Sequence, residues 1–398
     1  MIDLNLTPEQ QQLQSQAREF AKSTIQPVVE KLDKSDNADL FPWDFCQDVF
    51  YSGAKLGLTS LLLPAEYGGM ARKCIDFALV QEELGAVDVS IACSYFNLTA
   101  AMSLFIARVG TDEQKQRILS SFTSGEPLLF SAAESEPNIA TSDMFCPIPD
   151  PNIGMKTFAQ RDSDAYILNG SKSCLVTNAG IADGYFILAR TSLEKPLSES
   201  LSMFYLRADT EGLNFGKRTQ MIGWKASHSA ELYLNDVRVS KENLIGVEGQ
   251  AGQLLMQLPE VAIGLAASYV GLARSAYEYA LNYAKQRISW GRPIIEHQAV
   301  GLKLADMMVN TQAARLMVWD AAIAAETNPL EAATVKAPAA KTFAVDVAIK
   351  NAQTAVEILG GYGVLQEHQT GKFLADAWIG YSCDFTKDIL RLGLVNFM

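Results

Sequence analysis

Apolar residues recur at helical spacing through the first third of the chain. One such run comprises Leu13, Ala17, Phe20, Ala21 and Ile25. Thr7 followed by Pro8 is typical of a helix start, with a capping hydroxyl and then proline at the first helical position. Further helices are expected at about residues 74–86 and 92–109, and another from Thr111. The pattern therefore predicts a helical domain that ends near residue 124.

Short alternating runs replace the helical periodicity from about residue 125. The runs that read as strands are 164–170, 185–189, 201–206 and 230–234. The first ends on Asn169-Gly170, a dipeptide typical of hairpin turns, so we expect a turn there. Glycine, proline, serine and aspartate are frequent in this part of the chain. This pattern predicts a β domain.

Helical periodicity returns near residue 244 and continues to the end. Long amphipathic stretches cover about 253–287, 294–326 and 331–359, which suits a helical bundle that also forms a subunit interface. Segregated blocks of helices, strands and helices predict an α+β fold. We assign an N-terminal helical domain to 1–124, a middle β domain to 125–243 and a C-terminal helical bundle to 244–398.

Composition narrows the choice of partners. The 398 residues are 48% hydrophobic and carry a net charge of -12, which argues against nucleic acid or an anionic membrane as a partner. We see neither a signal peptide nor an uninterrupted apolar run long enough for a membrane span. Six scattered cysteines and three histidines favour reduced thiols in a cytoplasmic protein without a metal site.

Five segments occur in a characteristic order along the chain. They are Tyr67-Gly68-Gly69, residues 166–172 (YILNGSK), 223–227 (GWKAS), 235–239 (NDVRV) and 287–294 (RISWGRPI). In this order and at these intervals they resemble the acyl-CoA dehydrogenase superfamily. The resemblance implies a barrel-like middle sheet, a C-terminal four-helix bundle and FAD bound between them. It also implies a homotetramer, built from two dimers, or a homodimer.

Candidate contacts to the flavin ring follow from this resemblance. Ser135 belongs to a Ser-Glu-Pro sequence that resembles the family's Thr-Glu-Pro turn, and Ser142 resembles the serine of its Gly-Ser-Asp. Thr177 resembles the threonine of a Trp-Ile-Thr-Asn segment, in which Leu175, or Cys174 in another register, replaces the aromatic residue. The alternatives are an ordinary loop for the serines and an ordinary strand threonine for Thr177.

A second group resembles the residues that hold the rest of the dinucleotide. Arg287 is the candidate clamp for the pyrophosphate, because a guanidinium binds phosphate through two parallel bonds. Trp290 replaces a family phenylalanine on the adenine side, and Gln298 with Gly360-Gly361 completes the set. The glycines also suit a helix C-terminal cap. In the family these residues reach the FAD of a neighbouring subunit.

The catalytic base is predicted in the C-terminal segment. Residues 383–386 read Cys-Asp-Phe-Thr where the family has Tyr-Glu-Gly-Thr, so Asp384 would be the base. An aspartate moves the carboxylate back by about 1.5 Å. Thr386 would orient the loop on the flavin and Arg391 would anchor it. Two alternatives stay open: Asp384 is a structural acid paired with Arg391 or Lys387, or Glu260 is the base.

The resemblance implies α,β-dehydrogenation of an acyl-CoA thioester, with the electrons passing to an electron-transfer flavoprotein. Two other reactions are alternatives. Nitroalkane oxidase shares this fold and carries an aspartate base followed seven residues later by an arginine, the spacing of Asp384 and Arg391. The second alternative is dehydrogenation of a substrate that is bound to a carrier protein instead of CoA. The segment between Asp143 and Thr157 is longer than in the family and is expected near the substrate mouth. A non-enzymatic flavin scaffold is a further alternative.

Overall fold

The computed structural model describes residues 5–35, 41–124, 127–146 and 148–397. The N-terminal domain is helical, as predicted. Its helices are α1 (Pro8–Phe20), α2 (Gln26–Asp33), α3 (Pro42–Lys55), α4 (Cys74–Val87), α5 (Val89–Ile91), α6 (Leu98–Val109) and α7 (Asp112–Ser124). The first helix begins where the sequence predicts, because the Thr7 hydroxyl accepts a bond from the Gln10 backbone N–H and the Gln10 side chain accepts one from Thr7.

The segment Val89–Val109 forms one continuous helix, because a π-helical turn (Ala92–Asn97) joins α5 to α6. It is long and apolar enough to cross a membrane by length and composition. However, 94% of its most apolar window is buried inside the protein. Its hydropathy is therefore that of a core helix.

The middle domain is built on one eight-stranded sheet. Its strands are β1 (Phe130–Ala133), β2 (Phe158–Asp162), β3 (Ala165–Thr177), β4 (Gly184–Arg190), β5 (Leu201–Arg207), β6 (Leu213–Arg218), β7 (Ser229–Ser240) and β8 (Leu244–Ile245). The order across the sheet is β6-β7-β3-β2-β4-β5-β8, and β1 pairs in parallel with β4. The last strand lies just beyond the predicted boundary at residue 243.

The predicted hairpin turn at Asn169-Gly170 is wrong. These residues lie inside β3, at a register irregularity in its pairing with β7. A Cβ on Gly170 would come within 2.8 Å of the Thr157 Cα, so glycine permits a close approach to the neighbouring chain. Asn169 is held by Asp236, whose backbone N–H donates to the Asn169 side chain at 2.9 Å. The turn into β3 falls at Ser163, which has φ 57°.

The C-terminal domain is a helical bundle. Its helices are α8 (Ala251–Leu255), α9 (Pro259–Gln286), α10 (Gln298–Thr327), α11 (Pro329–Glu331), α12 (Ala337–Leu359), α13 (Thr370–Ile379) and α14 (Lys387–Val395). A short hairpin, β9 (Ile288–Ser289) with β10 (Arg292–Pro293), joins α9 to α10. The stretch predicted at 253–287 is divided, because Pro259 starts a new helix.

Close packing joins the N-terminal domain to the bundle. A Cβ on Gly85 of α4 would lie 2.3 Å from the backbone oxygen of Ser268 in α9. One apolar core runs through the N-terminal helices and the sheet, and a second fills the bundle. The predicted α+β fold is confirmed, and its three parts meet around the end of β1 and the loop between α13 and α14.

Candidate active site

The Ser-Glu-Pro turn after β1 is fixed by a buried ion pair. The Glu136 carboxylate accepts bonds from the backbone N–H groups of Lys156 and Thr157 at 2.7 and 2.8 Å. The Lys172 ammonium lies 3.4 Å from Glu136 and donates to the Glu134 carbonyl at 3.0 Å. Burial raises the pKa of the Glu136 carboxyl, but Lys172 and these hydrogen bonds outweigh burial and lower it. The turn is therefore held rigidly against β3.

A bulge in β3 presents hydroxyls and an apolar side chain beside this turn. Ser173 donates its backbone N–H to the Ser135 carbonyl at 3.0 Å, and the two hydroxyls lie 2.7 Å apart. The pairing of β3 with β7 shifts register between Lys172 and Val176. Leu175 is 56% exposed there. Thr177 closes the strand, and its carbonyl accepts a bond from the Ser131 hydroxyl at 2.6 Å.

The segment containing Ser142 reaches the C-terminal loop. Ser142 lies in a 3₁₀ helix, Thr141–Phe145. The Phe145 ring contacts the Phe385 ring, with centroids 5.1 Å apart. The long segment predicted near the substrate mouth therefore begins beside the predicted base, although Pro147 in it lies outside the described residues. Further along, Arg190 holds this segment by donating to the Pro151 carbonyl at 2.7 Å.

Asp384 occupies a loop with an unusual backbone. Asp384 and Phe385 both have positive φ, 48° and 71°, a backbone conformation that residues other than glycine rarely adopt. The Lys341 ammonium on α12 donates to the carbonyls of Cys383, Asp384 and Phe385 at 2.5, 3.0 and 2.6 Å. Burial raises the pKa of the Asp384 carboxyl, and the Lys341 charge opposes that rise. Thr386 stands at the N-cap of α14 without a side-chain capping bond.

A second acid lies within electrostatic reach of Asp384. Glu134 follows β1 and is half-buried. Burial and the Asp384 charge raise its pKa to about 8, and Lys172 counteracts them. Glu134 is not among the site residues predicted from the sequence. An acid at the end of the apolar run 128–133 is the signal that was available.

Neither predicted ion partner of Asp384 is bonded to it. Arg391 bonds Asp346 of α12 at 3.1 Å, and Lys387 pairs with the same carboxylate. Arg391 thus ties α14 to α12. It acts on the Asp384 loop only through α14, the helix that follows the loop. Glu260, the alternative base, is 2% exposed and forms two bonds to Arg108 at 2.7 and 2.9 Å.

The predicted dinucleotide residues form a separate, exposed group at the far end of α9 and α12. The Arg287 guanidinium lies 5.5 Å from the centre of the Tyr362 ring and makes no salt bridge with the described residues. Trp290 is 92% exposed, and Gln298 is exposed at the start of α10. Gly360 has φ 59°, and a Cβ on Gly360 or Gly361 would meet nothing within 4 Å. The glycines end α12, so the helix-cap interpretation also holds.

Comparison with known proteins agrees with this architecture. The N-terminal, middle and C-terminal domains of acyl-CoA dehydrogenase match residues 7–126, 150–237 and 252–394. A cyclohex-1-ene-1-carbonyl-CoA dehydrogenase of Geobacter metallireducens is 34% identical, over 98% of this chain and 97% of the relative.

Solved structures give the same result. The structure of butyryl-CoA dehydrogenase from Megasphaera elsdenii is 31% identical, with a TM-score of 0.89 over 100% of this chain and 99% of the other. A chain in a structure described as electron transferring flavoprotein of Acidaminococcus fermentans is 31% identical, with a TM-score of 0.87 and the same coverage.

Fold and relatives together define an FAD-dependent oxidoreductase that acts on CH–CH bonds. The chain belongs to the acyl-CoA dehydrogenase family. Its residues fit FAD in two places. Leu175 with the Ser135 and Ser173 hydroxyls offers an apolar contact and polar contacts to a flat ring. Arg287, which makes no salt bridge with the described residues, lies over the Tyr362 ring next in sequence to the open Gly360-Gly361 backbone, and this group suits a pyrophosphate.

Proposed function

We propose that this chain catalyses the α,β-dehydrogenation of an acyl-CoA thioester, with Asp384 as the base that removes the α proton. The supporting observation is the placement of Asp384: it is half-buried, without a salt bridge among the described residues, in a loop that packs on the Ser142 segment. Bound FAD would supply the hydride acceptor. Arg391 would contribute by anchoring α14, which follows the loop.

The environment of Asp384 suits proton abstraction. A base works best when its pKa lies closer to the working pH than that of an ordinary carboxyl. Burial raises the pKa of Asp384 in this direction, and the Lys341 ammonium limits the rise. The direction of the shift therefore makes the Asp384 carboxylate more basic than an ordinary aspartate.

Two groups of residues would hold the cofactor. Ser135, Ser142 and Thr177, with Thr386 from the loop, would lie around the flavin ring. The exposed group would take the other half: Arg287, Trp290, Gln298, Gly360 and Gly361. Among the described residues, no hydrogen bond or ring contact joins the two groups. This separation supports a site completed by a second subunit, in a homodimer or homotetramer.

We further propose an electron-transfer flavoprotein as the electron acceptor, with the cytoplasm as the location. The similar chain in the A. fermentans structure supports the acceptor. A net charge of -12 and the burial of the apolar helix Val89–Val109 support a soluble protein.

The experiment is an anaerobic screen in which purified holoprotein is mixed with acyl-CoAs of different chain length. Bleaching of the flavin absorbance by at least one of them is the expected result. Rapid oxygen consumption with nitroethane and no bleaching by any acyl-CoA would replace this proposal with the nitroalkane oxidase alternative. Bleaching only by carrier-bound acyl groups would favour a carrier-protein substrate.

A further inference from the structure

Lys341 is a buried lysine whose charge is directed at backbone. It lies on α12 and is 1% exposed. Its ammonium donates to three successive carbonyls, those of Cys383, Asp384 and Phe385. It forms no salt bridge with the described residues. An ammonium carries three hydrogens, so the three carbonyls use all of them.

Burying a charged lysine is unfavourable unless hydrogen bonds replace the water that it loses. The three carbonyls that compensate it belong to the loop that carries the proposed base. Two of the three residues have positive φ, a conformation that persists only where the surroundings enforce it. Convergence of three carbonyls on one ammonium is such a constraint, because it requires the peptide planes to turn inward together.

We propose that Lys341 is the positioning residue of Asp384: its three hydrogen bonds to successive carbonyls fix the backbone of the loop that carries the carboxylate. This inference rests on the proposed function, in which Asp384 is the base. Lys341 touches the loop backbone and acts on the reaction only through Asp384.

The charge effect depends on what else faces Asp384. Lys341 comes from α12, Glu134 from the end of β1, Cys383 from the loop itself and Cys93 from the π-helical turn before α6. Of these groups only Lys341 is a cation. Removing it leaves burial unopposed, so the pKa of Asp384 rises further and the acid limb of the pH–rate profile moves to higher pH.

The test compares Lys341→Met and Lys341→Arg with Lys336→Met. Lys336 precedes α12 by one residue, and its ammonium pairs with Asp320 of α10 at 2.9 Å instead of with the loop carbonyls, so it is a matched control. Amide hydrogen exchange of residues 383–386 in the holoprotein reports the positioning without any substrate. The rate of anaerobic flavin reduction, with an acyl-CoA that bleaches the wild type, is followed against pH.

For Lys341→Met we expect faster exchange in the loop, a reduction rate lower by about 100-fold and an acid limb at higher pH. Lys341→Arg keeps the charge but presents a planar fork, so its acid limb should stay in place while the rate falls by about tenfold. Lys336→Met should match the wild type in all three. If Lys341→Met does not accumulate as folded holoprotein, Lys341→Arg decides.

Unchanged loop exchange in Lys341→Met, or a full rate in Lys341→Arg when only that variant folds, would overturn the positioning role. Faster loop exchange with an unchanged rate and pH profile would have a different meaning. The loop would then be positioned by Lys341, but Asp384 would not be the base, and the proposed function would be the part that fails.

Discussion

Glu134 and Asp384 are two half-buried acids from different domains, and the charge of one acts on the other. Burial and the Asp384 charge raise the pKa of Glu134 to about 8, well above that of an ordinary carboxyl. Its side chain makes no hydrogen bond with the described residues. Near neutral pH Glu134 is therefore largely protonated and lies within electrostatic reach of Asp384 as a neutral acid.

This relationship predicts a pH-dependent stability. Between about pH 5 and 8 the native state keeps a proton on Glu134 that the unfolded chain releases, so native stability falls as the pH rises through this window. Glu134→Gln removes that loss. The melting temperature of Glu134→Gln minus that of the wild type should be larger at pH 8.5 than at pH 5 by roughly 1–3 °C.

Differential scanning calorimetry of both holoproteins at several pH values measures this difference. Glu194→Gln, which changes an exposed acid in a loop, is the control and should give a constant difference. A difference for Glu134→Gln that does not change with pH would show that Glu134 ionises normally in the native state.

Glu260→Gln should lower stability and leave catalysis almost unchanged. The glutamate is bound by Arg108 through two charged bonds, and the amide keeps only one acceptor. Because Arg108 is partly exposed, we expect a loss of about 1–2 kcal/mol in the free energy of unfolding. Urea unfolding and anaerobic flavin reduction measure the two quantities. Loss of flavin reduction in a stable, FAD-loaded Glu260→Gln protein would identify Glu260 as the base.

Arg287→Gln should weaken FAD binding. Loss of charge-assisted bonds to a pyrophosphate costs about 1.5–3 kcal/mol, or roughly a 10- to 150-fold rise in Kd. Titration of the apoprotein with FAD, followed by flavin fluorescence, gives the value. Arg292→Gln, in the same hairpin, is the matched control and should bind FAD as the wild type does. Equal affinities in the two variants would remove Arg287 from the cofactor site.

Lys172→Met should destabilise the middle domain strongly. Lys172 is fully buried and is the cation beside Glu136, so its removal leaves a buried carboxylate with backbone donors alone. Breaking such a pair costs about 3–5 kcal/mol. The double variant Lys172→Met with Glu136→Gln should recover part of the loss in a urea unfolding experiment. A Lys172→Met protein as stable as the wild type would show that the Lys172–Glu136 pair contributes nothing to the free energy of unfolding.

Much of the fold could be predicted because local signals and tertiary packing agree. Thr7 and Pro8 start the first helix as expected, since capping is decided within one turn. The turn predicted at Asn169-Gly170 is wrong because the same dipeptide also occurs at a bulge within a strand, where a neighbouring chain passes close to the glycine. Only the three-dimensional packing distinguishes the two uses.

The residues of the candidate site also fall into those that local sequence predicts and those that only the packing reveals. Ser135 was predicted as a flavin contact from a local sequence, and the structure puts its hydroxyl beside that of Ser173. Lys341 was missed, although it falls at helical spacing among the small apolar residues of α12, which is the signal of a buried lysine. Arg391 was paired with Asp384 by spacing, but its partner Asp346 comes from another helix, and spacing along the chain does not reveal such contacts.

The most direct measurement is anaerobic flavin reduction by Asp384→Asn, made with an acyl-CoA that bleaches the wild-type protein. We predict that this variant keeps bound FAD and an unchanged visible spectrum and that its reduction slows by at least about 1,000-fold, because the amide cannot accept the α proton. Reduction of Asp384→Asn at the wild-type rate would contradict the account.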